Sequence, residues 1–169
     1  MALQEAPPRA IEPERATDQI DRLYGLALSL CGSPHLAEEL VQETYVRLLT
    51  RPRRLRGPDD FPYLARILRN LLYDHYRRSK RIEWTELVVD GEEPVDDREE
   101  GDPEAAARAN ELYGLVAGLP PEQRDVVAAV DVAGMRYQEA ARALGVPIGT
   151  VMSRLSRGRS RLARTLVPG

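Results

Sequence analysis

Two stretches of this chain carry side chains whose types and spacing suit the binding of a polyanion rather than covalent chemistry. In the first, YQEAARALGVPIGTVMSRLSRGRSRL from Tyr137 to Leu162, Val151, Leu155 and Leu162 recur at helical spacing on one side of a helix, and Thr150, Ser153, Arg154, Arg157 and Arg161 lie away from them. Hydroxyl and guanidinium groups set along one helix face can donate to guanine edges in a major groove or to phosphate oxygens. From Met135 to Gly169 the bases are Arg136, Arg142, Arg154, Arg157, Arg159, Arg161 and Arg164, opposed by Glu139 alone. The second stretch, Arg51 to Arg81, interleaves Arg51, Arg53, Arg54, Arg56, Arg66, Arg69, Arg77, Arg78, Lys80 and Arg81 with Phe61, Tyr63, Tyr73 and Tyr76. Aromatic faces beside arginines are what unstacked bases require.

Other chemistries lack such support. Cys31 is the single cysteine and sits in an apolar run, where a buried small side chain is the expected reading. The two histidines are His35, expected in an exposed first helical turn, and His75, expected near an apolar stripe. Neither joins a cluster with metal-ligand spacing, and no Ser-His-Asp or Cys-His arrangement or phosphate-cradling glycine loop is present. No catalytic, cofactor or metal residue is therefore expected, nor an enzymatic activity.

Helices must position both basic stretches. Period-two alternation is nearly absent, whereas three-and-four spacing recurs between glycine and proline breaks. A first helix is expected over Thr17–Cys31, ended by Gly32. A second runs over Pro34–Thr50, capped by Ser33, and buries Leu36, Leu40, Val41, Thr44 and Leu48. The loop RPRRLRGPDD precedes a third over Phe61–Lys80, with Phe61, Leu64, Leu68, Leu71 and His75 on its stripe. Asp102 and Pro103 open a fourth, with Ala106, Ala109, Leu112, Leu115 and Val116 inward. Pro120 and Pro121 open a fifth that closes at Gly134. In the first stretch Ala140, Ala141 and Leu144 make the apolar side of a short helix. Gly145 ends it in the left-handed conformation, and Pro147 and Ile148 lead into the arginine-bearing helix: a helix-turn-helix.

The formal charge of −3 over 169 residues conceals a segregation of sign. Between Ile82 and Glu104 the acids Glu83, Glu86, Asp90, Glu92, Glu93, Asp96, Asp97, Glu99, Glu100, Asp102 and Glu104 face only Arg98. Such a stretch repels itself and stays extended. It reads equally as a solvated tether or as a mimic of nucleic acid for a basic channel in a partner. The expected fold is all-α: a flexible tail over 1–16, a helical domain over 17–81, an acidic flexible linker over 82–102 and a helix-turn-helix domain over 103–166. The N-terminus has no apolar signal-peptide core and no run reaches the ~20 apolar residues of a membrane span, so cytoplasmic location without membrane insertion is expected.

Taken together, AEELVQETYVRLL from Ala37, FPYLARILRNLLYDHYRR from Phe61, and LPPEQRDVVAAVDVAGMRYQEAARALGVPIGTVMSRLSRGRSRL from Leu119 resemble the short, two-domain extracytoplasmic-function (ECF) branch of the bacterial sigma-70 family. The resemblance covers about residues 20–80 and 103–166. It implies a subunit that binds core RNA polymerase, recognises −35 and −10 promoter elements and helps to melt DNA, with an anti-sigma protein as a further partner. It places Glu39, Leu40, Gln42, Glu43 and Arg47 against polymerase. Arg53, Arg54, Arg56, Asn70, Tyr73, Asp74, Arg77 and Arg78 would meet the −10 element. Arg136, Thr150, Ser153, Arg154, Arg157 and Arg159 would meet the −35 element, Arg136 and Arg159 through phosphates. Three departures stand out: Tyr63 near where the family usually has tryptophan, the arginine-rich loop, and Pro147 where a serine cap often occurs. The alternative is a stand-alone dimeric helix-turn-helix regulator, which leaves the basic aromatic helix and the acidic stretch without a role.

Overall fold

The computed structural model describes residues 9–51, 54–55, 59–82 and 102–167. The acidic stretch over 83–101, together with Arg53 and Arg56, lies outside them. Among the described residues the fold is helical, with one minimal strand pair: β1 (Arg9–Ala10) lies antiparallel to β2 (Arg54–Leu55). Residues 9–16, expected in a flexible tail, are therefore folded. Arg9 donates to Asp60 at 2.7 Å, helix α1 (Pro13–Thr17) follows, and the Tyr45 hydroxyl donates to the Ala16 carbonyl.

The N-terminal bundle comprises α2 (Ile20–Cys31), α3 (Pro34–Thr50) and α4 (Phe61–Ile82). The capping chemistry is as the sequence requires. Ser33 Oγ accepts from the Leu36 amide at 3.3 Å, Pro34 occupies the first turn, and Asp59 Oδ1 accepts from the Phe61 amide at 3.0 Å. Leu23, Phe61, Leu64, Leu68 and Leu72 form the driest part of the core. The single phenylalanine, Phe61, is fully buried, and the Arg22 guanidinium lies 3.7 Å from its ring centroid.

The C-terminal module comprises α5 (Pro103–Ala117), α6 (Pro121–Val127), α7 (Tyr137–Leu144) and α8 (Ile148–Leu166). The single helix expected to run to Gly134 instead passes into a π-helical turn over Ala128–Val132, where the Ala133 amide reaches the Ala128 carbonyl at 2.9 Å. Gly145, at φ 67°, ends α7 in the left-handed region as expected. The buried side of α7 is Ala140 and Ala143, with Ala141 and Leu144 only partly covered.

Helix α5 keeps Ala109, Leu115 and Val116 of its expected inner face at least partly covered but departs from it at two positions. Ala106 is exposed and Leu112 is 51% exposed, whereas Val116 is buried and Tyr113 and Ala117 are partly covered. The reason is its partner: α5 packs along α2 of the other module rather than only on its own. Gly25 makes room for it, since a Cβ there would stand 3.2 Å from the Tyr113 hydroxyl.

Gly158 has a comparable steric role inside the module. A Cβ on it would lie 2.6 Å from Val127 Cγ2, so α8 crosses α6 at van der Waals distance only because that Cβ is missing. Gly158→Ala adds helix propensity worth up to about 1 kcal/mol but overpacks the crossing by about 1–3 kcal/mol. The expected outcome is net destabilisation, read as a lower thermal midpoint by circular dichroism. An unchanged or raised midpoint would show that the crossing yields freely.

Candidate nucleic-acid interface

The arginine-bearing face of α8 is built by two buried anchors. Val151 and Leu155 are sunk into the module, which leaves Met152, Ser153, Ser156, Arg157, Ser160 and Arg161 exposed. Ser153 and Arg157 thus lie as expected: Arg157 Nε folds back to the Ser153 carbonyl at 3.3 Å, and Ser153 Oγ donates to the Thr150 carbonyl at 3.2 Å. Thr150 is half-buried. Arg136 is exposed at the start of α7, where its amide donates to Glu139 at 2.8 Å.

Two expected groups are engaged elsewhere. Arg154 is only 24% exposed and turns toward Glu122 of α6, 3.4 Å away, into a cleft between the modules. Arg159 binds Asp131 of the π turn through two contacts, at 2.6 and 2.9 Å, which hold its guanidinium firmly protonated. Neither pairing follows from helical spacing, because the acids lie on other elements, Glu122 on α6 and Asp131 on the π turn. Met152, 53% exposed in the middle of the face, and Ile148, 43% exposed at its start, are apolar groups that the charge pattern does not mark. Apolar groups there suit thymine methyls.

The second candidate face belongs to α4, and it divides. Asn70, Tyr73 and Arg77 line the cleft shared with Pro121, Glu122, Asp125 and Arg154. Asp74 pairs with Arg77 at 3.3 Å. Arg78, grouped with them by sequence, lines a different groove, between α3 and α4. Arg54 is exposed on β2, beyond the start of α4.

That α3–α4 groove gathers the residues expected to face a protein partner. Glu39, Gln42, Glu43 and Arg47 are exposed along its rim, with Arg47 bridged to Glu43 at 3.4 Å. Leu40, 4% exposed as its place on the buried stripe predicts, forms the groove floor with Leu36 and Leu71. The apolar residue that does face outward in the groove is Val46, 52% exposed. It lies outside the buried stripe and beside Arg47, so helical spacing does not mark it.

Cys31 and His75 are partly covered, whereas His35 is exposed. Burial pushes the Cys31 thiol above its ordinary pKa, and its Sγ lies 3.3 Å from the Ser33 carbonyl. His35 lies 3.2 Å from Glu39 on the surface, and His75 meets Tyr76 edge-on. No group of three or more potential metal ligands occurs among the described residues. None of the described helices is long and apolar enough to cross a membrane.

Comparison with known proteins places both modules. Residues 18–82 match the Sigma-70 region 2 family and residues 109–162 match Sigma-70, region 4. The chain is 36% identical over 154 residues to the ECF RNA polymerase sigma factor SigE of Mycolicibacterium smegmatis, covering 88% of this chain and 59% of that protein. It is 32% identical over 149 residues to the ECF RNA polymerase sigma factor EcfG of Rhodopseudomonas palustris, covering 87% of this chain and 80% of that protein. In fold it is similar to the sigma factor RpoE, solved in complex with the anti-sigma factor NepR from Bartonella quintana. The TM-score is 0.71 at 24% identity, with 92% of this chain and 98% of that one covered.

Proposed function

Because the chain belongs to the ECF branch of the sigma-70 RNA polymerase sigma factors, we propose that it acts as a promoter-specificity subunit of RNA polymerase in the cytoplasm, with the chemistry of RNA synthesis left to the polymerase. The observation that carries this reading is the pairing of two helical modules in family order, each with its own basic face: α8 with Ser153 and Arg157, and α4 with Asn70, Tyr73 and Arg77. Helices α7 and α8 would read the −35 element from the major groove. The α4 face and the arginine loop would take the −10 element, where capture of flipped bases offsets an unstacking cost of a few kcal/mol. The α3–α4 groove would hold core polymerase. The domain limits 17–81 and 103–166 are proposed as the extents of these modules. An anti-sigma protein is a proposed further partner, as the RpoE complex has one.

The test is transcription in vitro by core polymerase supplemented with the purified chain over genomic templates. Promoter-directed initiation that requires the chain supports the reading. Binding to a palindrome without polymerase, and no initiation, would replace it with a stand-alone regulator.

Within this reading the exposed Arg157, rather than Arg154, which is turned into the cleft, is the arginine placed to reach a base. Arg157→Ala is expected to cost about 1–3 kcal/mol of discrimination at one −35 position if the contact is bidentate. Promoter ranking with reconstituted holoenzyme measures it, and an unaltered ranking would remove Arg157 from the base-reading set.

A further inference from the structure

The small strand pair falls on the arginine loop. β1 and β2 pair in a register that sets Arg9 opposite Leu55 and Ala10 opposite Arg54. Side chains alternate sides along a strand, and burial follows that alternation: Arg9 and Leu55 are partly covered, whereas Ala10 and Arg54 are exposed. The register therefore decides which loop side chain is presented, and a slip of one residue would turn Arg54 in and Leu55 out. We propose that β1 is a positioning element for promoter reading. It straps the arginine loop in the register that presents Arg54, so that Arg9, without touching a base, sets how sharply the loop selects within the −10 element. The inference rests on the assignment of the arginine loop to the −10 element and names a residue that tunes its selectivity.

A ladder of two residues a strand is marginal in water, so its place depends on what anchors it. On one side Arg9 reaches from β1 to Asp60, at the far end of the loop, with Nη2 to Oδ1 at 2.7 Å and Nη1 to Oδ2 at 3.3 Å. Asp60 is 6% exposed, and its carbonyl accepts from the Tyr63 and Leu64 amides in the first turn of α4. A buried carboxylate needs a charged partner, and a two-point fork fixes direction as well as distance. On the other side the chain after β1 is rooted in the bundle. Ile11 packs against the core, Ala16 is fully buried, and the Ala16 carbonyl accepts from the Tyr45 hydroxyl of α3. The strap thus runs between α3 and the start of α4, the two helices that the loop connects.

The composition of the loop gives such a strap a purpose. Arg51, Arg53, Arg54 and Arg56 stand within six residues, and like charges this close repel one another. A loosely held arginine can meet a phosphate from many positions. Telling one extruded base from another takes hydrogen bonds to its edge in a set geometry. Ordering the loop beforehand lowers the cost of forming that contact. Loss of the strap therefore blunts selectivity before it weakens docking of the whole chain.

The test uses full-length chains assembled with core polymerase. The templates derive from a promoter at which the wild type initiates, with each of the four bases placed in turn at every −10 position. Arg9→Ala is expected to flatten the preference at one −10 position by about fivefold or more, with the ranking of −35 variants unchanged. Arg9→Lys keeps the charge but not the fork and should recover part of the preference. Arg54→Ala should flatten the same position, and Arg9→Ala should add nothing to it in the double variant. A role confined to stability would instead lower initiation on every template and add to the effect of Arg54→Ala.

Full wild-type preference in Arg9→Ala would overturn the positioning role. So would a uniform fall across all templates, the mark of a phosphate contact or a weakened fold, and so would additive losses in the double variant. If circular dichroism shows that Arg9→Ala does not fold, the Arg9→Ala, Asp60→Asn pair decides by the same readouts, because it leaves no buried charge without its partner. A wild-type chain that initiates at no promoter would count against the sigma-factor reading itself, and the positioning role would fall with it.

Discussion

Phe61→Ala is expected to lower the stability of the chain by about 3–5 kcal/mol, the usual cost of emptying a fully buried aromatic site. The ring is fully buried at the first position of α4, where its amide is capped by Asp59 and its face is covered by Arg22 at 3.7 Å. Removing it leaves a cavity under the start of the helix that carries Asn70, Tyr73 and Arg77. It also strips Arg22 of the surface on which its guanidinium rests, and Arg22 is one of the groups that reach across to the C-terminal module. Urea unfolding monitored by circular dichroism measures the loss. Phe61→Leu separates the two effects, because it retains most of the apolar volume but lacks the π face. A loss below about 1 kcal/mol for alanine would mean that the site collapses to fill itself, against the packing described above.

What the sequence reveals best is whatever is decided within a few residues. The limits of α3, Pro34–Thr50, follow from Ser33, Pro34 and an uninterrupted apolar period, and the structure returns those limits. Gly145 ends α7 because no other residue type takes that backbone as easily, and its φ of 67° agrees. The α8 face was legible for the same reason: Val151 and Leu155 leave their neighbours only one place to go.

Decisions made between elements were not legible. Arg154 stands one turn before Arg157 and Arg159 two residues after it, with the same charge on the same helix, yet acids on α6 and on the π turn claim them. Nothing in the local pattern marks Glu122 or Asp131 as their partners. Leu112 and Tyr113 are adjacent candidates for the inner face of α5, and the choice falls to Tyr113 because Gly25 of α2 offers it a seat. Val46 is a further case: helical spacing already sets Leu40 inside the bundle and Val46 outside it, but that the two line one groove depends on where α4 lies. The packing of the modules against each other belongs to this class too, since residues 69, 73 and 125 meet only through tertiary packing.

Val46→Glu carries the other large expected effect, and it falls on binding rather than stability. Val46 is 52% exposed, so the substitution should alter the unfolding free energy by no more than about 0.5 kcal/mol. In the groove, however, its neighbours are Leu36, Leu40 and Leu71, with Glu39, Gln42, Glu43 and Arg47 along the rim. An apolar patch ringed by polar groups is the arrangement of an interface hot spot, where a disruptive change costs about 2 kcal/mol or more, equivalent to roughly 30-fold in affinity. Burying a new carboxylate against leucines on docking adds a desolvation cost that truncation alone would not. Competition for core polymerase against labelled wild-type chain measures the effect, and thermal unfolding supplies the control. The Gln42→Ala, Arg47→Ala double variant should weaken docking less, because rim groups stay partly solvated. If Val46→Glu competes as well as the wild type, polymerase does not occupy this groove, and the double variant should then be silent as well.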